Sequence, residues 1–297
     1  MPATDSDGED AITKEEITGT APAPAATAAG VSQGTKRNAF AELMAPKPKK
    51  TTATTSEDEQ PSTLASRRST LTRTFKNRDG LGAYTHDPTS FPSSRVIYHN
   101  DDFVAINDQY PKSTVHTLLL PRHPTLSRLH PFDALSDATF LTTVQEETAR
   151  LKRLVAKELQ RRYGRYSKQD RLREAVLNEE VEWPAGSELP RGRDWEAELL
   201  VGVHAHPSMN DLHVHVLAPD MFSDCMRHRK HYLSFNTPFL IDVADFPLAD
   251  DDPRRHPGRA GYTKRDLQCW RCGKNFGNKF KQLKDHLDEE FEEWKRE

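Results

Sequence analysis

The run Leu212–Leu217 constrains the fold most, because it alternates histidine with aliphatic residues. Successive side chains of a β-strand point to opposite faces, so His213 and His215 would share one face while Val214 and Val216 share the other. Two imidazoles on one face bring polar nitrogens that need partners. We therefore expect this pair to have a chemical task, either nucleophilic attack on phosphorus or metal ligation.

Composition limits what surrounds this strand. At 297 residues the chain could form one large domain or two smaller ones, and a hydrophobic fraction of 35% predicts that part of it is unfolded. The formal net charge of -3 is close to balanced. Any binding to nucleic acid must therefore depend on local basic patches.

Cysteine usage and hydropathy predict the compartment. Cys269 and Cys272 have the spacing of metal ligands and Cys225 stands alone, so we expect no secreted disulfide framework. No apolar run approaches the ~18 residues that a membrane helix needs, and no apolar signal segment opens the chain. These features predict a soluble, intracellular protein that binds no membrane.

Residues 1–73 are rich in Ala, Thr, Ser, Pro and charge, which predicts a disordered tail. Lys36-Arg37 and the cluster at 47–50 are spaced like a bipartite nuclear-import signal, although a solvated basic run would have the same composition. Between them, residues 38–44 form the tail's apolar stretch and are a candidate peptide for binding a partner.

From about residue 74 the pattern predicts an α+β domain. The expected strands, each a short apolar run between turn signals, cover residues 95–98, 103–106, 115–120, 199–205 and 212–217. Together they predict an antiparallel sheet. Apolar residues at helical spacing predict a long helix over about 133–162 that packs on it. Residues 163–195 are charged and contain Pro and Gly, which predicts an inserted loop.

A resemblance to the histidine-triad superfamily of nucleotide hydrolases and transferases rests on the motif His204-Ala-His-Pro-Ser-Met-Asn-Asp-Leu-His-Val-His-Val216. Residues 107–121 resemble the nucleotide-holding half of that family. With Lys230-His-Tyr-Leu-Ser-Phe-Asn236 and a terminal metal pattern, the chain resembles the fungal aprataxins over roughly 74–297. The resemblance implies an antiparallel histidine-triad domain at 74–248, with an insertion at about 163–195, and a linker with a small ββα-type zinc finger at 249–297.

The resemblance also implies roles for the histidines. A neutral imidazole attacks an activated phosphoanhydride and gives an adduct that water can cleave. His213 would be that nucleophile and would carry AMP, the eventual product. His215 and Ser208 would donate to phosphoryl oxygens, and His204 would protonate the leaving phosphate or assist water. His116 and His206 are expected to be structural.

The nucleotide itself would be held by Asp108 at the ribose, by Val104 and Ile106 near the adenine, and by Lys112. The sequence departs from the family signature at Asp211, which stands where the first triad histidine is expected. An aspartate there would orient or polarise the imidazole of the nucleophile.

A metal pattern closes the chain. Cys269-x-x-Cys272 is followed after thirteen residues by His286, and Glu290 stands one helical turn further on the same face. This set of two cysteines, one histidine and one glutamate resembles the arrangement in the fungal aprataxins, and the resemblance implies a structural zinc ion. Glu289 is one residue off that face and a poorer candidate. A helical hairpin without metal is the alternative.

Basic residues between the two sites predict a track for a nucleic-acid backbone, with a generally solvated surface as the alternative. The track comprises Arg227, Arg229, Lys230, Lys264, Arg265, Lys274, Lys279, Lys281 and Lys284. Phe75, next to Lys76, resembles the aromatic wedge with which the family stacks on a terminal base pair, although a lone aromatic fits a core position equally well.

The resemblance as a whole implies a nuclear, monomeric DNA-repair hydrolase that removes AMP from 5'-adenylated DNA ends and could also remove guanylate caps from 3' ends. Repair-protein partners would bind the tail. Two other functions stay open. The first is a small-molecule hydrolase of dinucleoside polyphosphates or nucleoside phosphoramidates, and the second is a non-catalytic DNA-binding zinc-finger protein.

Overall fold

Six antiparallel strands form the central sheet in the order β1-β2-β3-β5-β4-β6, which confirms the predicted α+β class. The strands are β1 (Val96–His99), β2 (Phe103–Asn107), β3 (His116–Pro121), β4 (Leu200–His204), β5 (Val214–Leu217) and β6 (Leu240–Ile241). The computed structural model describes residues 77–297. The predicted tail, its basic clusters and its apolar stretch lie outside the described residues.

The helices are α1 (Gly82–His86), α2 (Pro131–Ala134), α3 (Ala138–Tyr163), α4 (Arg171–Leu177), α5 (Arg229–Phe235), α6 (Pro257–Ala260) and α7 (Phe280–Trp294). The predicted long helix is α3, which begins later than expected. The Asp137 carboxylate accepts a hydrogen bond from the Phe140 N–H and caps α3, so the residues before it form the separate helix α2. Within residues 77–297, no helix combines the length and apolar character needed to cross a membrane.

Strand β5 sends its side chains to two different surroundings. Val214 and Val216 belong to the largest buried cluster, together with Val144 and Leu151 of α3. His213 and His215 alternate with these valines and lie on the opposite face. At the neighbouring β4, a Cβ on Gly202 would come within 2.4 Å of the Ile241 carbonyl oxygen, so glycine is needed for β6 to approach β4.

Residues 163–195 differ from the predicted inserted loop, because both ends of the segment are anchored in the core and part of it is the helix α4. Asp170 is fully buried. Its carboxylate accepts hydrogen bonds from the Arg193 N–H at 3.1 Å and from the Trp195 indole N–H at 2.8 Å. Two of the charged residues, Asp170 and Arg193, are thus buried and paired, whereas residues 178–192 form no helix or strand and stay largely exposed.

The C-terminal module consists of β7 (Leu267–Gln268), β8 (Asn275–Gly277) and α7, as the predicted ββα pattern requires. The far end of α7 packs into the main core, since Phe291 and Trp294 belong to the largest buried cluster. The Arg193 guanidinium donates to the Trp294 carbonyl oxygen at 2.6 Å. Residues 163–195 therefore bind the far end of α7 through Arg193. We call this contact between Arg193 and Trp294 the socket for α7.

Candidate active site and metal centre

Four histidines meet on the face of the sheet opposite α3. His213 immediately precedes β5, His215 lies within it, His116 opens β3 and His204 closes β4. The ring centroid of His215 lies 4.5 Å from that of His204, 4.9 Å from His213 and 5.2 Å from His116. The structure thus brings the three predicted catalytic histidines together and adds His116. His206 is exposed and lies beyond the end of β4.

One hydrogen bond assigns the tautomer of His213. Its Nδ1 lies 2.7 Å from the main-chain carbonyl oxygen of Asp211. A carbonyl oxygen only accepts hydrogen bonds, so Nδ1 of the neutral ring carries the proton and Nε2 carries the free lone pair. The main chain therefore leaves the Nε2 lone pair available to a substrate.

A second main-chain group assigns the tautomers of His116 and His215. The Lys112 N–H donates to Nδ1 of His116 at 3.1 Å, so the proton of that neutral ring is on Nε2. Nε2 then donates to Nδ1 of His215 across 2.9 Å, and the proton of His215 is left on its own Nε2. Asp108 Oδ2 also lies near Nδ1 of His116, at 3.4 Å, but the amide is closer and can only donate. The arrangement is a hydrogen-bonded relay.

Two of these rings have a nitrogen that no group in the described part of the chain satisfies. Nε2 of His215 and Nε2 of His204 are buried and have no hydrogen-bond partner within residues 77–297. Buried polar atoms nearly always have a partner in folded proteins. An Nε2–H group at His215 is suited to donate to a phosphoryl oxygen on a bound substrate.

Burial keeps the rings neutral. It lowers the pKa of His213, and together with the neighbouring rings it lowers the pKa values of His204 and His215 well below 6.5. Burial also lowers the pKa of His116 to about 4, although Asp108 acts in the opposite direction. A neutral imidazole is the nucleophilic form, so His213 is competent at neutral pH.

The loop between β2 and β3 carries two predicted nucleotide-binding residues. Asp108 Oδ1 accepts from the Tyr110 N–H at 2.8 Å, and Lys112 Nζ donates to the Tyr110 carbonyl oxygen at 2.8 Å. Burial opposes ionisation of Asp108, but His116 and Lys112 bring its pKa below 3.8. Asp108 is therefore a carboxylate at neutral pH and able to accept hydrogen bonds.

The predicted adenine contacts lie deeper. Val104 is 0% and Ile106 2% exposed, and both belong to an apolar cluster with Leu81 and Leu118. Their side chains are enclosed by protein. The contact of either residue with an adenine ring stays a prediction.

Ser208 and Asp211 lie in the segment that leads into His213, and both are buried. The Asp211 carboxylate accepts from Nη1 of Arg128 at 2.9 Å, while its main-chain oxygen binds His213. The contact with the His213 ring is thus made by the main-chain oxygen of Asp211 and not by its carboxylate. The orienting role of Asp211 stays a prediction.

The four predicted metal ligands converge in the finger. One ligand atom from each of Cys269, Cys272, His286 and Glu290 lies within 4.8 Å of the others. Nε2 of His286 is 3.1 Å from Cys272 Sγ and 3.1 Å from Glu290 Oε1. Two thiols, an imidazole and a carboxylate are a donor set that zinc accepts. Glu289 is exposed, and its carboxylate lies 3.8 Å from the other ring nitrogen, Nδ1 of His286.

Groups around this quartet orient the ligands. Gly273, at φ 73°, turns the chain so that its N–H donates to the Cys269 carbonyl oxygen at 3.0 Å. Arg271 Nη1 donates to Oε2 of Glu290 at 2.6 Å, which leaves Oε1 directed at His286. Outer partners of this kind are what a metal-ligating carboxylate needs. The sequence pattern showed the four ligands but not Arg271.

The predicted DNA-binding residues are mostly on the surface. Arg227, Lys279 and Lys281 are exposed, and Lys230 is half-buried in α5. Lys284 differs, because its Nζ donates to the Ser223 carbonyl oxygen at 3.1 Å. Phe75 and Lys76 lie outside the described residues.

Two family models match the chain, a HIT domain over residues 92–222 and a C2HE / C2H2 / C2HC zinc-binding finger over residues 236–293. The sheet, the histidine cluster and the Cys/His/Glu quartet agree with both matches. The protein is therefore of the class that joins a histidine-triad domain to a zinc-binding finger.

Relatives narrow this class. An aprataxin-like protein of Schizosaccharomyces pombe (strain 972 / ATCC 24843) is 33% identical over 222 residues, which are 73% of this chain and 82% of the relative. The crystal structure of the aprataxin ortholog Hnt3 in complex with DNA has a TM-score of 0.57 and 31% identity, covering 73% of this chain and 96% of that one. Hnt3 in complex with DNA and guanosine has a TM-score of 0.55 and 32% identity, with the same coverages of 73% and 96%. The chain belongs to the aprataxin family.

Proposed function

We propose that this protein removes AMP from 5'-adenylated DNA ends, the products of abortive ligation, and restores a 5'-phosphate. The observation that carries the proposal is the tautomer of His213, whose Nδ1 is bound to the Asp211 carbonyl oxygen at 2.7 Å and whose Nε2 is free to attack. The similar structure of Hnt3 was solved in complex with DNA, which supports DNA as the substrate.

In the first step, the Nε2 lone pair of His213 forms a bond to the phosphorus of the adenylyl group. The bond from that phosphorus to the bridging anhydride oxygen breaks, and its electron pair leaves with the 5'-phosphate of the DNA. The Nε2–H of His215 and the Ser208 hydroxyl donate to the phosphoryl oxygens as charge shifts. The adenylylated ring of His213 carries positive charge, and its Nδ1–H keeps the Asp211 carbonyl oxygen as acceptor.

In the second step, water attacks the same phosphorus, the N–P bond breaks, and its electron pair returns to Nε2 of His213. AMP then leaves as product. Burial lowers the pKa of His204 well below 6.5, so this ring is neutral. Its buried Nε2 has no hydrogen-bond partner within residues 77–297, so it would take the proton of the attacking water and, as a weak base, pass it on to solvent. A phosphate leaving group, whose second pKa is about 6, needs no proton from it. This favours the water-assisting role of His204 over the protonating role.

The remaining predicted residues would bind the substrate. Asp108 accepts from the ribose hydroxyls, and Lys112 lies on the same loop. Zinc in the finger, held by the Cys/His/Glu quartet, supplies structural cross-linking and takes no part in the chemistry. Lys279 and Lys281 at the start of α7, with Arg227 and Lys230, hold the DNA backbone, and Phe75 and Lys76 engage the DNA end. The protein acts as a monomer in the nucleus, and its tail recruits repair proteins.

A second activity on the same site is the removal of guanylate from 3' ends, which is supported by the similar structure of Hnt3 in complex with DNA and guanosine. A small-molecule hydrolase is a weaker proposal, because exposed lysines on a separate finger serve no purpose for a mononucleotide substrate. His213, His215 and His204 are all in place, which argues against a protein that only binds DNA.

The test is an assay of the full chain on a 5'-adenylated nicked duplex, beside adenylated mononucleotides. We expect preference for the duplex, and loss of at least about 10³-fold in rate for His213→Ala. His206→Ala, an exposed histidine beyond β4, is the matched control and should retain activity. Acid-free quenching should trap AMP on His213; AMP bound elsewhere, or preference for mononucleotides, would contradict the proposal.

A further inference from the structure

Asp211 raises a problem that the structure resolves, because a carboxylate stands where the family signature has an imidazole. The side chain is only 4% exposed. A buried carboxylate is costly without a counter-ion, whereas a neutral histidine needs none. Its Oδ2 has no hydrogen-bond partner within residues 77–297, so Oδ1 carries the compensation.

Arg128 supplies that compensation from an element outside the signature. It closes the short 3-10 turn Leu126–Arg128, and its Nη1 donates to Asp211 Oδ1 at 2.9 Å. Its Nη2 donates to Asp79 Oδ1 at 2.8 Å. Guanidinium is permanently charged and can hold two carboxylates at once. We call Asp79, Arg128 and Asp211 the Arg128 bridge; its three groups share one net negative charge.

Further hydrogen bonds show that the Arg128 bridge holds the chain just before the nucleophile. The Leu212 N–H donates to the Ser127 carbonyl oxygen at 2.7 Å, and the Asn210 N–H donates to the Arg78 carbonyl oxygen at 2.9 Å. Asn210 Nδ2 also donates to Asp79 Oδ1 at 3.1 Å. Residues on both sides of Asp211 are thus tied to the two turns that the bridge connects.

The position of this segment decides the state of His213. The Asp211 carbonyl oxygen is the group that keeps the proton on Nδ1 of His213, and the Asp211 carboxylate raises the pKa of the same ring against the effect of burial. If the segment moved, the Asp211 carbonyl would no longer be aligned with Nδ1 of His213. Both the position of Nε2 and the tautomer of the ring would then be less well defined. A displacement of 1 Å at a reacting centre costs about 10²-fold in rate.

We propose that Arg128 is a positioning residue of the nucleophile: it balances Asp211 and fixes the segment 207–212, so that the Arg128 bridge replaces the first histidine of the triad. The proposal rests on the proposed role of His213. Arg128 touches no reacting atom and acts through Asp211.

The test is Arg128→Met in the full chain on the 5'-adenylated nicked duplex. We expect kcat to fall by about 10- to 100-fold while KM stays within about threefold, because substrate contacts are intact. Arg128→Lys keeps the charge and should give a kcat between wild type and Arg128→Met. Arg161→Met, an exposed arginine paired with Glu158 on α3, is the matched control and should leave kcat unchanged.

Asp211→Asn separates positioning from a general loss of structure, since it removes the charge and keeps the shape and the main-chain carbonyl. The double variant Arg128→Met/Asp211→Asn should be no slower than the slower single variant, as coupled residues behave non-additively. A double variant as slow as the product of both single effects would overturn the proposal, as would Arg128→Lys as slow as Arg128→Met. If wild type and His213→Ala cleave the duplex equally, the proposed function is wrong. That result does not depend on the Arg128 variants, so the two failures can be told apart.

Discussion

The histidine cluster and the Cys/His/Glu quartet each bring four side chains together, but the two groups are held in different ways. His116, His204 and His215 belong to strands of the six-stranded sheet, and His213 immediately precedes β5. Main-chain groups of Asp211 and Lys112 assign the protons of His213, His116 and His215. In the quartet, Cys269 and Cys272 lie in the turn between strands of two and three residues, whereas His286 and Glu290 lie on α7. Their ligand atoms face one another. The fold alone builds the first site, whereas we expect the second to need a bound ion.

The largest expected effect is that of metal loss. A structural zinc ion contributes about 10–16 kcal/mol in finger peptides, so Cys269→Ser should unfold β7, β8 and the start of α7. Phe291 and Trp294 should stay docked, because they belong to the main core. Hydrogen exchange by mass spectrometry measures this: protection should be lost over residues 267–287 and kept near the C-terminus. Cys225→Ser, outside the quartet, is the control.

The same variant tests whether the two sites are separable. Hydrolysis of adenylated mononucleotides should stay within about twofold of wild type, while binding of adenylated DNA is lost. One route could connect the sites, since Lys284 donates to the Ser223 carbonyl oxygen and Ser223 Oγ donates to the Pro111 carbonyl oxygen at 2.5 Å. Equal losses on both substrates would show that this route dominates and that the comparison fails.

The socket for α7 should show the next largest effect. The Arg193 side chain is 1% exposed. Its guanidinium makes a bidentate ion pair with the Glu198 carboxylate, at 2.5 and 2.7 Å, in addition to its hydrogen bond to Trp294. Arg193→Met leaves a carboxylate without its cation and should lower the free energy of unfolding by about 3–5 kcal/mol. Arg161→Met, whose side chain is 70% exposed, should leave the free energy of unfolding nearly unchanged. Urea titration measures the free energy of unfolding of both variants. Equal decreases would show that the Arg193 contacts add no more stability than an exposed ion pair.

The socket also shows where sequence reasoning stops. The alternation at His213 and His215 predicted a strand and a reactive face, because side-chain direction in a strand follows from local geometry. The spacing of the four metal ligands predicted the quartet for the same local reason. Arg193 and Asp170 were assigned to a loop, because charge normally indicates exposure. Asp170 accepts from groups 23 and 25 positions away, and Arg193 reaches Trp294 across 101 positions. No local pattern encodes such distant partners.

His116 and Arg128 are the corresponding cases in the histidine cluster. His116 was expected to be a sheet residue, and it does lie in β3, but its contact with His215 spans 99 positions. Arg128 reaches Asp211 across 83 positions. The departure at Asp211 is the one signal that could have found Arg128, since a buried acid calls for a cation; no comparable signal points to the contact of His116.

Acidification should destabilise the fold through its buried histidines. Burial lowers the pKa of His116 to about 4 and that of His231 to about 3, whereas an unfolded histidine titrates near 6.5. Below pH 6.5 the unfolded chain therefore binds more protons than the folded chain. The free energy of unfolding then decreases as the pH decreases, by up to about 1.4 kcal/mol per pH unit for each such ring. Asp220 opposes this with a single group between pH 6 and 3.8, because burial raises its pKa to about 6.

The measurement is the free energy of unfolding from urea titrations at pH 7.5, 6.5 and 5.5. The slope should be positive with pH and smaller by about one group in His231→Gln. A flat or reversed profile would mean that the rings are not held neutral, and the tautomers assigned to His213 and His215 would lose their basis.

His116→Asn tests the relay with a smaller expected effect. The substitution removes the Nε2–H that donates to Nδ1 of His215 at 2.9 Å, so His215 is free to place its proton on either nitrogen. We expect kcat on adenylated DNA to fall by about 10- to 100-fold with KM nearly unchanged, as for loss of a transition-state donor. His206→Asn should have no effect. A His116→Asn enzyme of normal kcat would show that His215 needs no relay.

The finger lysines should give the smallest effect, and they distinguish exposed from occupied cations. Each phosphate contact adds about one unit to the slope of log binding constant against log salt concentration. Lys279→Gln/Lys281→Gln removes two exposed cations and should reduce that slope by about 1–2. Lys284→Gln is the matched control on the same helix, because its Nζ is engaged by the Ser223 carbonyl oxygen. A reduced slope for Lys284→Gln as well would mean that Lys284 leaves Ser223 to bind phosphate, and that the finger and the loop ahead of Lys112 rearrange together on DNA.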